Sequence, residues 1–122
     1  MKLGTIVTAV PALQKVSAAD LTPKTLYKTS KLLSRCEKEL DFFNKSKNAL
    51  IMQYGHKIDD TDEYRVDDEN KTVFVEKLNE ILDIDVEGEF VPVVIPQSEN
   101  IKLSYDDLRL LDGLITIEEL DV

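Results

Sequence analysis

The stretch 22–54 constrains the fold most, because after Pro23 neither glycine nor proline interrupts it. Thr22 can cap a helix, and Pro23 is tolerated at the first helical position. Gly55 favours a left-handed residue just past the helix end. Apolar or small residues recur at alternating three- and four-residue spacing, which is typical of one packed helix face. They are Leu26, Thr29, Leu33, Cys36, Leu40, Phe43, Leu50 and Tyr54, with Lys47 breaking the series. We therefore predict one long amphipathic helix.

A second stripe on the same helix is basic. Its spacing of four, three, four and three residues places its members on one face, roughly opposite the apolar seam, at about 100° per residue. The members are Lys24, Lys28, Lys31, Arg35 and Lys38. This stripe is the first candidate partner-binding surface.

The charge of the chain is unevenly distributed. Residues 1–57 carry ten Lys/Arg and four Asp/Glu, a net +6, whereas residues 58–122 carry five and twenty, a net −15, giving −9 in total. Such asymmetry can mark a surface that attracts a partner. Two other interpretations stay open: the acidic part folds back beside the basic stripe, or both faces are simply solvated.

Shorter elements are predicted on both sides of the long helix. Pro11 is tolerable only in a first turn, which predicts a helix over about 9–17 with Thr8 as its cap and 3–7 extended or as an earlier turn. A further helix should begin at Asp67 or Asp68 and continue to about Leu82.

The alternating residues 64–66 and 84–90 predict two strands that pair in a small, mostly antiparallel sheet. Gly88 indicates a bulge or a close backbone approach. A capping-box-like start at Ser104 and Asp107 predicts a helix over 105–112 with Leu108 and Leu111 facing inward. Residues 114–122 could form a last strand or a tail.

The segment 91–96 is the second candidate partner-binding surface. Two prolines, Pro92 and Pro96, confine it to a sheet edge or to unpaired backbone. An apolar edge is an association hazard unless something covers it. The candidate contact residues here are Val91, Val93 and Ile95.

Together these elements predict a helix-dominated α+β fold in a single domain, 1–122. Its N-terminal part, 1–55, is helical, and its C-terminal part, 56–122, is an acidic α/β region. No apolar run approaches the roughly 18–20 residues of a membrane span, and the N-terminus lacks the features of a secretory signal.

No motif predicts catalysis, a cofactor or a metal. The acids at 59–69 fail the calcium-loop pattern, because counting from Asp60 places Arg65 where the sixth-position glycine belongs. His56 fits a cation near a helix C-terminus better than a catalytic base. Cys36 fits a buried structural thiol. The chain is therefore expected not to be an enzyme.

Direct binding to nucleic acid is not expected either. The domain as a whole is acidic, and no aromatic residue other than Phe42 interleaves the basic stripe. Nucleic-acid interfaces usually combine a basic footprint with stacking residues. The twenty acids of 58–122 could instead occupy the basic groove of a nucleic-acid-binding protein.

Five stretches resemble a family of short phage and prophage proteins of unknown function. They are 7–15, 21–28, 50–55, 78–87 and 101–108. The chain departs from that family after Leu114, where the usual aromatic residue is missing. The resemblance implies a bacteriophage origin and the cytoplasm of an infected host, or the virion, as its location. It implies no residue-level role.

The expected function is therefore protein–protein interaction, in virion assembly or as a virion component, with self-association left open. The alternative is a small acidic inhibitor of a host nucleic-acid-binding or anti-phage defence protein.

Overall fold

Four α-helices and two short strand pairs make up the part of the chain that the computed structural model describes, residues 1–96, 98–99 and 101–118. The helices are α1 (Leu3–Ala18), α2 (Pro23–Tyr54), α3 (Lys71–Leu82) and α4 (Tyr105–Leu110). The strands are β1 (Gly55–Lys57), β2 (Tyr64–Val66), β3 (Val93–Ile95) and β4 (Ile115–Ile117). The predicted helix-dominated α+β class is confirmed.

The first helix lies at the centre of the core, and its predicted start at residue 9 is wrong. Helix α1 begins at Leu3 and continues through Pro11. An interior proline costs about 3 kcal/mol, but α1 buries seven side chains, which offsets that cost. The Thr8 hydroxyl does not cap the helix. It donates to the carbonyl oxygens of Gly4 (3.0 Å) and Thr5 (3.1 Å) within α1.

The long helix has almost the predicted bounds, and its buried face overlaps the predicted seam at Thr29, Cys36 and Phe43. The buried residues are Thr25, Thr29, Leu32, Cys36 and Phe43. Leu26, predicted to be part of the seam, is 38% exposed. Thr29 can be buried because its hydroxyl donates to the Thr25 carbonyl oxygen at 3.0 Å. Helix α1 packs against α2.

The predicted capping of α2 is observed only in part. Thr22 is its N-cap residue, as predicted, but the Thr22 hydroxyl contacts the Glu99 carboxylate at 2.6 Å and makes no capping hydrogen bond. Gly55 is extended, with φ −135°, so the expected left-handed residue is wrong. Glycine is needed there for another reason: a Cβ atom would lie 2.2 Å from the Arg65 carbonyl oxygen in β2.

The predicted pairing of 84–90 with 64–66 is wrong. Strand β2 pairs antiparallel with β1, in the register Gly55↔Val66. Residues 84–90 form no strand; their backbone meets the N-terminus instead. The Leu3 N–H donates to the Ile84 carbonyl oxygen (2.8 Å), and the Val86 N–H donates to the Met1 carbonyl oxygen (2.9 Å).

Strand β3 pairs parallel with β4, and α4 forms part of the connection between them.

Before α3, a single 3₁₀ turn spans Asp68–Asn70, and α3 then ends at Leu82 as predicted. The predicted capping box of α4 is confirmed, because Ser104 and Asp107 bond reciprocally. Helix α4 ends at Leu110, two residues before the predicted end.

Elements from both ends of the chain share one core. Leu13 and Val16 of α1 cluster with residues close to the C-terminus, including Leu111 and Leu114. Leu111 is 1% exposed, whereas Leu108, predicted to face inward, is 43% exposed. Leu110, the last residue of α4, also packs against this core, and Leu111 follows as the C-cap residue. Within the predicted last strand or tail, Ile115–Ile117 form strand β4, and residues 119–122 lie outside the described residues.

Candidate protein-binding groove

The predicted basic stripe lies along the outer face of α2. Lys24, Lys28, Lys31 and Lys38 are exposed, and Arg35 is half-buried. Within the described residues, none of the five forms an ion pair with a carboxylate. In the part of the chain described, the acidic half therefore does not neutralise the stripe through direct ion pairs.

Arg35 differs from the lysines because it binds the C-terminal half through backbone carbonyl groups. Its Nη1 donates to the Glu89 carbonyl oxygen at 2.7 Å, and its Nη2 donates to that of Glu87 at 3.2 Å. Between these residues, Gly88 has φ +91°, and a Cβ atom there would lie 2.8 Å from Nη2. The close approach expected at Gly88 is therefore an approach to a guanidinium group. Arg35 fixes the segment 87–90 against α2.

The second predicted surface divides into exposed and buried residues. Val91 is 74% exposed and Val93 is half-buried, but Ile95 is only 1% exposed. Ile95 belongs to the hydrophobic core, so its prediction as a partner contact is wrong. In strand β3, Val93 and Ile95 share the face that packs on the core and Val94 points to the opposite face, whereas Val91 precedes the strand and is exposed.

The structure brings members of the two predicted surfaces together at one groove. Its volume is about 570 Å³, and it runs between α2 and the segment that enters β3. The α2 side is formed by Tyr27, Lys28, Lys31, Leu32 and Arg35, and the other side by Glu89, Val91, Pro92, Val93 and Val94. Lys24, Lys38 and Ile95 do not line it. The groove thus combines an apolar wall with a basic wall.

Tyr27 is a lining residue that the sequence reasoning missed. Phe42 is not the only aromatic residue beside the stripe, because Lys31 Nζ lies 5.0 Å from the centroid of the Tyr27 ring. The neighbouring Tyr27 side chain, chiefly through hydrogen bonding, raises the pKa of Lys31. The i, i+4 spacing of Tyr27 and Lys31 was the available signal. Lys31 stays charged at neutral pH and is held at the rim of the groove.

In the described residues, His56, the acidic side chains and Cys36 are not arranged as a catalytic or metal-binding site. His56 lies in β1, and its Nδ1 contacts the Asp67 carboxylate on the exposed hairpin surface. Across the described ranges, no cluster of three or more His, Cys, Asp or Glu side chains is arranged to hold a metal ion. Cys36 is fully buried, as predicted, and burial raises the pKa of its thiol to about 11. Cys36 is therefore a neutral core residue.

Comparisons with protein-family models, with curated proteins and with solved structures find no match to this chain. Among the helices described, none is long and apolar enough to cross a membrane. The strongest candidate site in the described residues is therefore the groove between α2 and β3.

Proposed function

We propose that this chain is a non-enzymatic, phage-encoded protein that binds another protein through the groove between α2 and β3. It acts in virion assembly or as a virion component. One observation carries the proposal: a basic helix face and an exposed apolar segment, each a candidate on its own, line the same groove. Protein interfaces commonly combine an apolar centre with charged groups that select the partner.

The exposure of the groove residues supports this role. Val91 is 74%, Tyr27 61% and Val94 53% exposed, so three large apolar side chains meet solvent in one place. Contiguous apolar surface of this kind is typical of interaction sites. Arg35 stabilises the segment that carries Val91, so the site is formed before a partner arrives. A preformed site costs less ordering entropy on binding.

A second candidate function is inhibition of a host nucleic-acid-binding or defence protein. The turn between β1 and β2 favours it, because Asp59, Asp60, Asp62 and Glu63 are all exposed there. A projecting acidic turn can compete for a basic groove on a partner. This mode would use the hairpin instead of the groove between α2 and β3.

Site-specific photo-crosslinking in infected cells distinguishes these functions. A photoreactive amino acid replaces Val91 in the groove, Asp60 in the acidic turn, or Val75 as the control. Val75 is a valine of α3 that is 50% exposed and does not line the groove. Crosslinks to a phage structural or assembly protein from Val91 alone are the expected result. Crosslinks to a host protein from Asp60 alone would support inhibition. Equal yields from Val91 and Val75 would rule out the groove.

A further inference from the structure

Strand β3 has an unused backbone edge. The Val93 N–H donates to the Leu114 carbonyl oxygen at 2.9 Å, and the Ile95 carbonyl oxygen accepts from the Glu118 N–H at 2.9 Å. Residues 93 and 95 therefore direct their backbone groups towards β4. In a parallel pair, the residue between them directs its N–H and C=O to the opposite edge. Those groups of Val94 have no hydrogen-bond partner within the described part of the chain.

The surroundings of this edge favour an anionic occupant. The groove lining contains Lys28, Lys31 and Arg35 but a single acid, Glu89. Arg35 already donates to two carbonyl groups, which leaves the two lysine ammonium groups available at the rim. Electrostatic complementarity of this kind selects partners and speeds association.

The apolar part of the lining favours an occupant that also carries apolar side chains. Leu32, only 8% exposed, contributes to the groove from α2, and Val91 and Val94 border it from the other side. An extended strand directs alternate side chains to opposite sides, so one segment can offer carboxylates to the lysines and apolar groups to the valines. Peptides that add to a sheet edge bind through their main chain and gain specificity from such alternate positions.

We propose that the groove binds an extended segment of the partner in which acidic and apolar residues alternate, and that this segment adds to the free edge of β3. Its carboxylates contact Lys28 and Lys31. This inference rests on the proposed function, because it names the chemistry of the partner at the same groove.

The probe is a synthetic nine-residue peptide of alternating Glu and Val, blocked at both ends, titrated into the full chain at low ionic strength. The matched control peptide replaces every Glu with Gln. We expect the Glu peptide alone to bind, and added salt to weaken it, since salt screens exposed charge pairs. On binding, hydrogen exchange of the Val94 amide, followed by NMR, should slow.

Paired variants test the basic wall. Lys28→Glu with Lys31→Glu should weaken binding of the Glu peptide by roughly tenfold or more, since two exposed attractive pairs become repulsive. Lys45→Glu with Lys57→Glu makes the same change in net charge outside the groove and should leave the affinity nearly unchanged. Circular dichroism verifies that both variants fold.

Several results would overturn the proposal: equal binding of the Gln peptide, no binding of the Glu peptide, or binding without slower exchange at Val94. A dimer of this chain that dissociates in the Lys28/Lys31 variant would also overturn it, because the occupant would then be a second copy. The crosslinking result separates this failure from that of the proposed function. If Val91 captures a phage protein but the chain does not bind the Glu peptide, the proposed function stands. Only the inference that the occupant is an acidic extended segment is then excluded.

Discussion

The guanidinium group of Arg35 lies over the ring of Phe90, with Cζ 3.7 Å from the ring centroid. The same group donates to the carbonyl oxygens of Glu87 and Glu89, so one side chain holds four consecutive residues of the C-terminal half. A cation over an aromatic face adds attraction to these hydrogen bonds. Arg35 therefore shapes the wall of the groove, although its charge placed it among the candidate partner contacts.

Replacing Arg35 with lysine should destabilise the protein although the charge is kept. Lysine lacks the planar fork that reaches two carbonyl groups at once. We expect Arg35→Lys to lower the free energy of unfolding by about 1–2 kcal/mol, measured by urea denaturation. Lys38→Ala, on the exposed part of the same face, should change it by less than about 0.5 kcal/mol. Wild-type stability in Arg35→Lys would show that the fork geometry is unimportant.

Leu108 in α4 and Leu111 just after it should differ sharply in their effect on stability. Leu111 is 1% exposed in the core, and Leu108 is 43% exposed. Leu111→Ala should lower the free energy of unfolding by roughly 2–5 kcal/mol, because it leaves a cavity. Leu108→Ala should cost less than about 1 kcal/mol. Equal losses in chemical denaturation would mean that Leu108 is buried as deeply as Leu111.

Asp107 should make stability fall in acid. Its carboxylate accepts from the Ser104 N–H at 3.2 Å and from Lys15 Nζ at 3.1 Å. These bonds, the backbone one first, lower the pKa of Asp107 below its ordinary value. Because the folded-state pKa is depressed, the stabilisation is fully present above roughly pH 3.9, the unfolded value, and is lost as pH falls through the folded pKa.

We therefore expect Asp107→Asn to be less stable than wild type at pH 7 and to lose less stability on acidification. Thermal unfolding between pH 7 and pH 2.5 measures both effects. The loss of stability between pH 7 and pH 2.5 should be reduced but not abolished, since the pKa values of Asp68 and Glu99 are also lowered. Asp106→Asn, at an exposed neighbour, is the control. If Asp107→Asn loses as much stability on acidification as wild type does, the Asp107 carboxylate does not stabilise the fold through these bonds.

Cys36 should be unreactive until the protein unfolds. It is the only cysteine of the chain, and burial raises the pKa of its thiol to about 11, so little thiolate exists at pH 8. Labelling with a thiol-specific reagent should be slow in buffer and rapid in concentrated urea. Lys38→Cys should add one thiol that reacts rapidly in the folded state. Rapid labelling of the wild-type native protein would show that Cys36 is accessible.

Local signals predicted much of the fold. Pro23 and Gly55 marked the bounds of α2, and Ser104 with Asp107 marked the start of α4, because caps and breakers act over a few residues. The start of α1 could not be predicted from Pro11, since the penalty of an interior proline is offset by burial against distant elements. Strands of three residues carry too little pattern to specify their partners, so β2 was paired with the wrong segment.

The candidate site was predictable in its parts but not in its assembly. Spacing along α2 identified the lysines, and two prolines identified the apolar segment around Val91. Their meeting depends on the contact between Arg35 and the backbone at 87–90, which no local pattern encodes. Ile95 was misassigned for a related reason: Val93, Val94 and Ile95 are all apolar, so the sequence does not show which face of β3 turns towards the core.

Helix α1 supplies seven of the buried apolar residues, and it packs against α2, α3 and α4. The basic part before residue 58 and the acidic part after it consequently share one core and are not separate folding units. A fragment ending there would expose the side of α1 that α4 covers, and the remainder would lack its core. Cleavage within the exposed turn 59–62 should yield two pieces that stay bound to each other and that, once separated, regain structure only on mixing.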